Sequence, residues 1–434
     1  MIEPMSLLIK NATIITQNKN RDVFKGSLFI DDQFINEISK NTISVEADVE
    51  IDASGQIVIP GLINSHTHLP MTLLRGYGDD MVLSEWLQTR IWPVEAKLSS
   101  STVKVGAQLG LLEMMKSGTT TFFDMYFFED EIAEVVKEMG FRAVLGFAFI
   151  DHGTPQHPAE KLFPHAKQFI KKWNKDDRII PGLAPHGTYT CGPGTLQNVR
   201  NLADQYHIPI QIHCAETRDE VYDVKRQYGK RPIAQLKEYG LLNSDVVLAH
   251  CGWITKNEIN EMKKTNVNVS HCPVSNMKIA TGGFAPVPEM IDAHICVSLG
   301  TDGAASNNTL DMFETMKFTA LIHKQHRWDP KVLPAQTVFD FATLGGAQAL
   351  GLQEKIGSLE EGKLADVVIV DFNIPRLTPC HDPISHLVYA ASGSDVRTTI
   401  VHGNPLVLDN KVQTIDEQQV LTNAQEEAKV LTNS

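Results

Sequence analysis

The 434 residues include only six cysteines, with no C-x-x-C pair among them, which excludes a disulfide-stapled framework and fits a reducing compartment. Basic residues are also outnumbered, 39 Lys+Arg against 52 Asp+Glu, for a formal charge of -13. A surface of that sign repels nucleic acid and anionic membranes. No apolar run reaches the length of about 18 residues that a bilayer crossing needs. The stretch Met1 to Thr16 lacks the basic start, apolar middle and small-residue cleavage site of a secretion signal. Repeats and low-complexity tracts are missing, and Gly282-Gly283 does not extend into a phosphate-cradling loop. Nucleotide monophosphates are therefore poor candidate substrates. These absences leave a soluble, cytoplasmic globular protein. The rest is ordinary in amount, 42% hydrophobic and 21% charged, so the information lies in the order of the residues.

That order changes twice. Leu8 to Ile15 is β-branched and roughly alternating, and Ser27-Leu28-Phe29-Ile30 and Phe34-Ile35 flank the polar turn Asp31-Asp32-Gln33, a hairpin signal. Asp366 to Asp371 and Thr398 to Val401 repeat this strand character near the other end. Residues 1–59 and 363–415 are therefore expected to form one small β-sandwich domain from both chain ends, with 416–434 as a helical tail. Between them, apolar runs alternate with amphipathic stretches such as Ser101 to Lys116 and Asp130 to Met139, the signature of a parallel sheet. The runs are Ile57 to Ile63, Thr120 to Phe123, Ala143 to Ile150, Ile179 to Ala184, Ile208 to Ile212, Val246 to Ala249, Val267 to Val269 and Ile295 to Leu299. A closed (β/α)8 TIM-type barrel needs that number of strands. The expected fold is α/β, with the barrel spanning 60–362.

Polar residues follow these runs in a consistent place. The first is followed by Asn64-Ser65-His66-Thr67-His68, the second by Asp124, the fourth by Pro185-His186, and the fifth by His213-Cys214-Ala215-Glu216. His250, His271 and Asp302 follow the last three. In a barrel of this kind such positions ring one mouth, where chemistry is done. His66 and His68 lie two apart on an extended chain and so share a face. With His213 and Asp302 they make a set of three imidazoles and a carboxylate, suited to one divalent metal ion with room left for water. Such an ion lowers the pKa of its water from about 15.7 to about 7, giving hydroxide at neutral pH. His250 would hold or deprotonate the water, Asp302 would take its second proton, and Glu216 would act as proton donor to the substrate.

Pro60-Gly61-Leu62-Ile63-Asn64-Ser65-His66-Thr67-His68, His213-Cys214-Ala215-Glu216, Gly300-Thr301-Asp302-Gly303 and Ser358 to Asp366 together resemble the amidohydrolase superfamily. That resemblance runs from about Leu7 to Leu406. It implies a metal-dependent hydrolase that holds zinc, with iron(II) as the alternative. Two-metal members of the superfamily use a modified Lys at the end of strand four, where this chain has Pro185-His186, so one metal ion per subunit is expected. Members often associate, and a homo-oligomer is compatible with the resemblance, though no segment specifies an interface.

Pro70 to Gly76, Glu85-Trp86-Leu87, Pro93-Val94-Glu95, Gly182 to His186 and Cys272 to Lys278 are similar to the branch that deaminates 5'-methylthioadenosine and S-adenosylhomocysteine. The resemblance implies that Glu95 grips the ribose hydroxyls, that His186 lines the substrate pocket and that Trp86 forms part of a lid. Hydrolysis would replace the 6-amino group of an adenine nucleoside by oxygen and release ammonia. In one respect the chain departs from the branch. Members that accept S-adenosylhomocysteine well place arginines after strand three, whereas Phe147 to Lys167 contains none. The expected substrates are therefore 5'-methylthioadenosine, 5'-deoxyadenosine and adenosine, with S-adenosylhomocysteine less favoured and Phe147 supplying an apolar wall. The competing reading is a guanine or cytosine deaminase, or a triazine hydrolase, of the same superfamily. The zinc deaminases of the DNA- and RNA-editing type are excluded, because their scaffold needs a C-x-x-C.

Overall fold

The computed structural model describes residues 5–433. Eight parallel strands form the central sheet in sequential order: β1 (Leu62–Thr67), β2 (Thr119–Tyr126), β3 (Arg142–Phe149), β4 (Ile179–Pro185), β5 (Ile210–Cys214), β6 (Val246–His250), β7 (Asn268–His271) and β8 (Val297–Leu299). Helices such as Ser100–Lys116, Glu129–Met139 and Ala159–Trp173 separate the strands and cover the sheet. With both faces covered, the strands carry near-continuous apolar runs, and all but Ile180 of their residues are buried. The seam between β1 and β8 is closed by polar contacts. The Ser65 hydroxyl donates to the Leu299 carbonyl at 2.8 Å, and the Asp302 N–H donates to the His66 carbonyl at 3.0 Å.

A second sheet draws strands from both ends of the chain. Its order is Lys411–Val412, Asn404–Leu408, Val396–Val401, Val367–Asp371, Gln56–Pro60, Ser6–Ile15, Val23–Asp31 and Phe34–Ser39, with Val49–Asp52 also paired to Ser6–Ile15. The hairpin read at Asp31-Asp32-Gln33 is present, since Val23–Asp31 and Phe34–Ser39 pair antiparallel. One run divides where a single strand was expected. In Ile57 to Ile63 the first part belongs to this second sheet and the barrel begins only at Leu62. Gly61 makes the crossing, and a Cβ there would meet the Thr120 side chain at 2.1 Å, so no larger residue fits between the two sheets.

The second sheet also meets the N-terminal end of the barrel strands through a buried polar cluster. Arg142, at the start of β3, pairs with Asp366, which accepts the backbone N–H of His402 at 2.9 Å. Arg142 also lies 3.0 Å from His402 Nδ1. This joint occupies the end of the barrel opposite the polar strand ends and leaves the other mouth open. The tail is the helix Glu417–Asn433, packed on Ser100–Lys116. Among the described residues no helix is long and apolar enough to cross a membrane.

Candidate active site

The strand ends gather the histidines at one point. His66 lies within β1, His68 just beyond it, and His213 and His250 near the ends of β5 and β6. One ligand atom each from His66, His213, His250 and Asp302 lies within 4.8 Å of all the others. His68 Nε2 joins them, 3.1 Å from Asp302 Oδ1 and 3.3 Å from His213 Nε2. His250 and Asp302 reach these positions through left-handed backbone, with φ of 73° and 64°. For a non-glycine residue this costs about 1–3 kcal/mol, a strain that turns both side chains inward at the end of a strand.

The outer nitrogens of the four imidazoles fix their tautomers. Nδ1 of His66 donates to Gln211 Oε1 at 2.8 Å, and the orientation of that amide is set because its Nε2 donates to the Ser65 carbonyl at 2.7 Å. Nδ1 of His68 donates to the Met125 carbonyl, and that of His213 to the His186 carbonyl at 2.6 Å. Nδ1 of His250 meets Asn276 Oδ1 at 2.9 Å. Every Nε2 therefore faces inward, and that of His66 is fully buried without any hydrogen-bond partner. Imidazoles with Nδ1–H engaged by an acceptor and Nε2 converging on a carboxylate are the arrangement of metal-ligating histidines. The donor set fits a divalent cation.

Electrostatics agrees with that fit. Burial holds the His66 imidazole down at about 4 and, with the neighbouring imidazoles, pulls His213 well below its ordinary value. Both are neutral lone-pair donors at pH 7. Burial opposes ionisation of Asp302, but the neighbouring His66 and His68 imidazoles outweigh that and keep the carboxyl well below the usual range. Burial also pulls His68 down, yet its contact with Asp302 overrides this and pushes it up to about 9. A cation bound beside Asp302 competes with that proton, as ligand deprotonation generally requires.

A cavity of about 450 Å³ opens from this cluster. Glu216, His250, Asp302, His68, His213, His186, Glu95 and Trp86 all line it, whereas His66 lies buried behind it. Glu216 Oε2 is 3.9 Å from His250 Nε2, and burial, then the charge of Asp302, pushes its carboxyl up to about 8. Glu95 ends a helical stretch made of Leu83–Trp86, a widened π turn over Leu87–Ile91, and Trp92–Glu95. Pro93 lacks the N–H that a regular helix would use there, which accounts for the widened turn. Burial lifts the Glu95 carboxyl to about 7 against the lowering effect of Tyr126, whose hydroxyl donates to Oε1 at 2.9 Å.

Other strand-end residues point elsewhere. Phe147 does not form a wall of the cavity: its ring is buried against Phe149 and Phe169, and the next residue, Ala148, faces the cavity instead. Alternation along β3 places neighbouring residues on opposite faces. His271 turns to His323, Nε2 to Nε2 at 3.2 Å. Asp124 accepts the backbone N–H of Leu69 at 2.7 Å, holding the chain just after His68.

Several contributors were not singled out from the sequence. Glu220 accepts the backbone N–H groups of Ala215 and Glu216 at 2.9 and 2.8 Å, fixing the turn that aims Glu216. Thr217-Arg218-Asp219-Glu220 has the T-x-x-E spacing of a capping box, a signal available in the sequence. Gln211 and Tyr126 carry no comparable local signature, and Asn276 lies within the Cys272 to Lys278 motif without a role that the motif assigns to it.

The Amidohydrolase family matches residues 57–406. A 5-methylthioadenosine/S-adenosylhomocysteine deaminase of Thermococcus onnurineus is 47% identical over 94% of this chain and 95% of its own. A 5'-deoxyadenosine deaminase of Methanosarcina mazei is 45% identical over 98% of each. The crystal structure of an adenosine deaminase from Xanthomonas campestris with bound zinc superposes with a TM-score of 0.96, at 36% identity and 99% coverage of both chains.

The outer contacts of the histidines lead to one prediction. Gln211→Leu removes the acceptor for His66 Nδ1 and is expected to weaken metal binding by about 10–100-fold, measured by competition with a chromophoric chelator. Unchanged affinity would show that His66 is oriented without Gln211.

Proposed function

The chain belongs to the amidohydrolase family, and from that premise we propose that it is a metal-dependent hydrolase that deaminates adenine nucleosides at C6. The observation that carries this reading is the placement of Glu216 and Glu95 in one cavity with the histidine–aspartate cluster. The first is a carboxyl able to protonate a ring, and the second a carboxylate able to accept a pair of hydroxyls. A free base has no ribose for Glu95 to hold.

His66, His68, His213 and Asp302 are assigned as the metal ligands. Three imidazoles and a carboxylate favour zinc, with iron(II) as the alternative. When bound there, a divalent ion supplies Lewis acidity that lowers the pKa of a water to about 7. His250 accepts the first proton of the attacking water at its unprotonated Nε2, 3.9 Å from Glu216 Oε2, and passes it on to restore the Glu216 acid after that acid has protonated the ring. Asp302 has its Oδ2 engaged by two hydroxyl donors, Ser275 at 2.6 Å and Ser306 at 2.8 Å, while Oδ1 accepts the Gly303 N–H at 2.8 Å and faces the histidines; its carboxylate takes the second proton of the water. Glu216 delivers a proton to the purine ring nitrogen, which localises charge and lets C6 become tetrahedral. The amino group then leaves as ammonia with the proton passed on from Asp302. Glu95 Oε1 is engaged by Tyr126, leaving Oε2 to accept the ribose hydroxyls. His186 and Trp86 shape the pocket around the nucleoside.

The 5' substituent follows from the cavity wall. Among the described residues no lysine or arginine lines it, while Leu83, Phe127, Ile150 and Pro155 do. A carboxylate-bearing substituent has no guanidinium fork to bind there. The favoured substrates are 5'-methylthioadenosine, 5'-deoxyadenosine and adenosine, ahead of S-adenosylhomocysteine.

Two substitutions test the roles. Glu216→Gln is expected to keep the metal, read by elemental analysis, and to lower kcat for ammonia release by about 10²–10⁴-fold; full turnover would remove Glu216 from proton transfer. Glu95→Ala is expected to cost nucleosides about 1.5–3 kcal/mol in kcat/KM, or about 10–100-fold, because a charge-assisted hydrogen bond is lost. Free adenine should be nearly indifferent, so equal losses for both would argue against ribose recognition.

A further inference from the structure

The short helix Pro273–Lys278 follows β7, between the strand ends that carry His250 and Asp302. Consecutive helical residues point about 100° apart, so two adjacent side chains on this helix can each reach a different neighbour. Ser275 and Asn276 do so. Ser275 Oγ donates to Asp302 Oδ2 at 2.6 Å, and Asn276 Oδ1 faces His250 Nδ1 at 2.9 Å. Both side chains are buried. The helix itself is pinned at its far end by Lys278, whose ammonium bonds Asp79 at 2.6 Å, the Ala305 carbonyl at 3.1 Å and Asn308 Oδ1.

We infer that Ser275 and Asn276 are positioning residues for the hydrolysis, setting the proton-handling atoms of two groups that neither of them resembles chemically. Asn276 accepts the Nδ1 proton of His250 and so leaves a lone pair on Nε2, the nitrogen turned toward Glu216 and the cavity. In the other tautomer Nε2 would carry a proton and could not accept one. Ser275, with Ser306, occupies Oδ2 of Asp302, while the Gly303 N–H at 2.8 Å steadies Oδ1 with that oxygen facing the histidines. The two contacts share one short helix, so a shift of that element moves the atoms facing both groups together. The inference rests on the roles proposed above for His250 and Asp302.

The test compares paired variants of the metal-loaded full chain. Asn276→Leu removes the acceptor at similar size, whereas Asn276→Asp keeps an acceptor oxygen in place. The leucine variant is expected to lose about 10²–10⁴-fold in kcat, the range seen when a catalytic histidine is left in the wrong tautomer or an acid–base group is lost. Its KM should stay within about threefold and its metal content unchanged, and the aspartate variant should keep kcat within about tenfold of the parent, since its acceptor is retained. Ser275→Ala is expected to lower kcat by about tenfold, the scale of one hydrogen bond to a charged group, and Ser275→Thr to restore it. ¹⁵N-histidine spectra of the zinc-loaded protein provide a readout independent of turnover: His250 should be the Nδ1–H tautomer in the parent and in Asn276→Asp, and not in Asn276→Leu. Equal kcat losses in both Asn276 variants, losses that follow metal content or Tm, or an unchanged His250 tautomer in Asn276→Leu would each overturn the inference. If the parent chain released no ammonia from any nucleoside while the tautomers behaved as stated, the substrate reading would fall and the positioning role would stand.

Discussion

Lone pairs on four imidazoles, three of them buried, converge on one buried carboxylate, and this electrostatic demand organises the rest of the site. Nitrogens and oxygens withdrawn from water need partners, and a buried anion needs a positive charge beside it. Protons satisfy the demand only partly: one settles between His68 and Asp302, whereas His66 Nε2 has no hydrogen-bond partner. A divalent cation satisfies all of it at once. The stability of this end of the barrel is therefore linked to metal, because an ion that binds the folded chain and not the unfolded one stabilises the fold. The outer contacts serve the same end. Gln211, the Met125 and His186 carbonyls and Asn276 each take an Nδ1 proton, and so each turns a lone pair inward.

Around that centre the labour divides between rigid and irregular backbone. Parallel strands hold His66, His213 and His250, and His68 and Asp302 follow closely on the ends of β1 and β8. The cavity-lining carboxyl groups sit on less regular segments: Glu216 on a turn tied by Glu220, and Glu95 at the end of a stretch loosened by a π turn. π turns are rare, and those that occur are frequently at functional sites. The positive φ angles at His250 and Asp302 belong to the same pattern, with strain held where a side chain must be aimed.

Much of this was legible in the residue order, because barrel strands have two simple marks: a short apolar run, and a polar residue where the run ends. His66, His68, His213, His250 and Asp302 could be picked out that way, since each sits where backbone direction alone places it near the mouth. Gly61 hid a boundary, because two strands of different sheets are joined there with no break in hydrophobicity. Phe147 and His271 were harder. A one-residue difference in phase along a strand moves a side chain from the cavity to the opposite face, and the buried strands of a parallel sheet do not alternate in polarity to reveal it. Gln211, Asn276 and Tyr126 act through contacts with residues far away in sequence, so their roles become visible only when the strands are assembled. The motifs around Glu95 and Trp86 carry meaning only through their resemblance to relatives, because nothing in their spacing points to chemistry.

What the cavity turns over decides between these readings of the site. The most direct measurement is ammonia release by metal-replete protein, as kcat/KM, on 5'-methylthioadenosine, 5'-deoxyadenosine, adenosine, S-adenosylhomocysteine, guanine and cytosine. The structure predicts strong turnover of the nucleosides with neutral 5' groups, S-adenosylhomocysteine well behind them, and no useful turnover of the free bases. Turnover of a free base alone would contradict it, for then the carboxylate at Glu95 would have no ribose to hold.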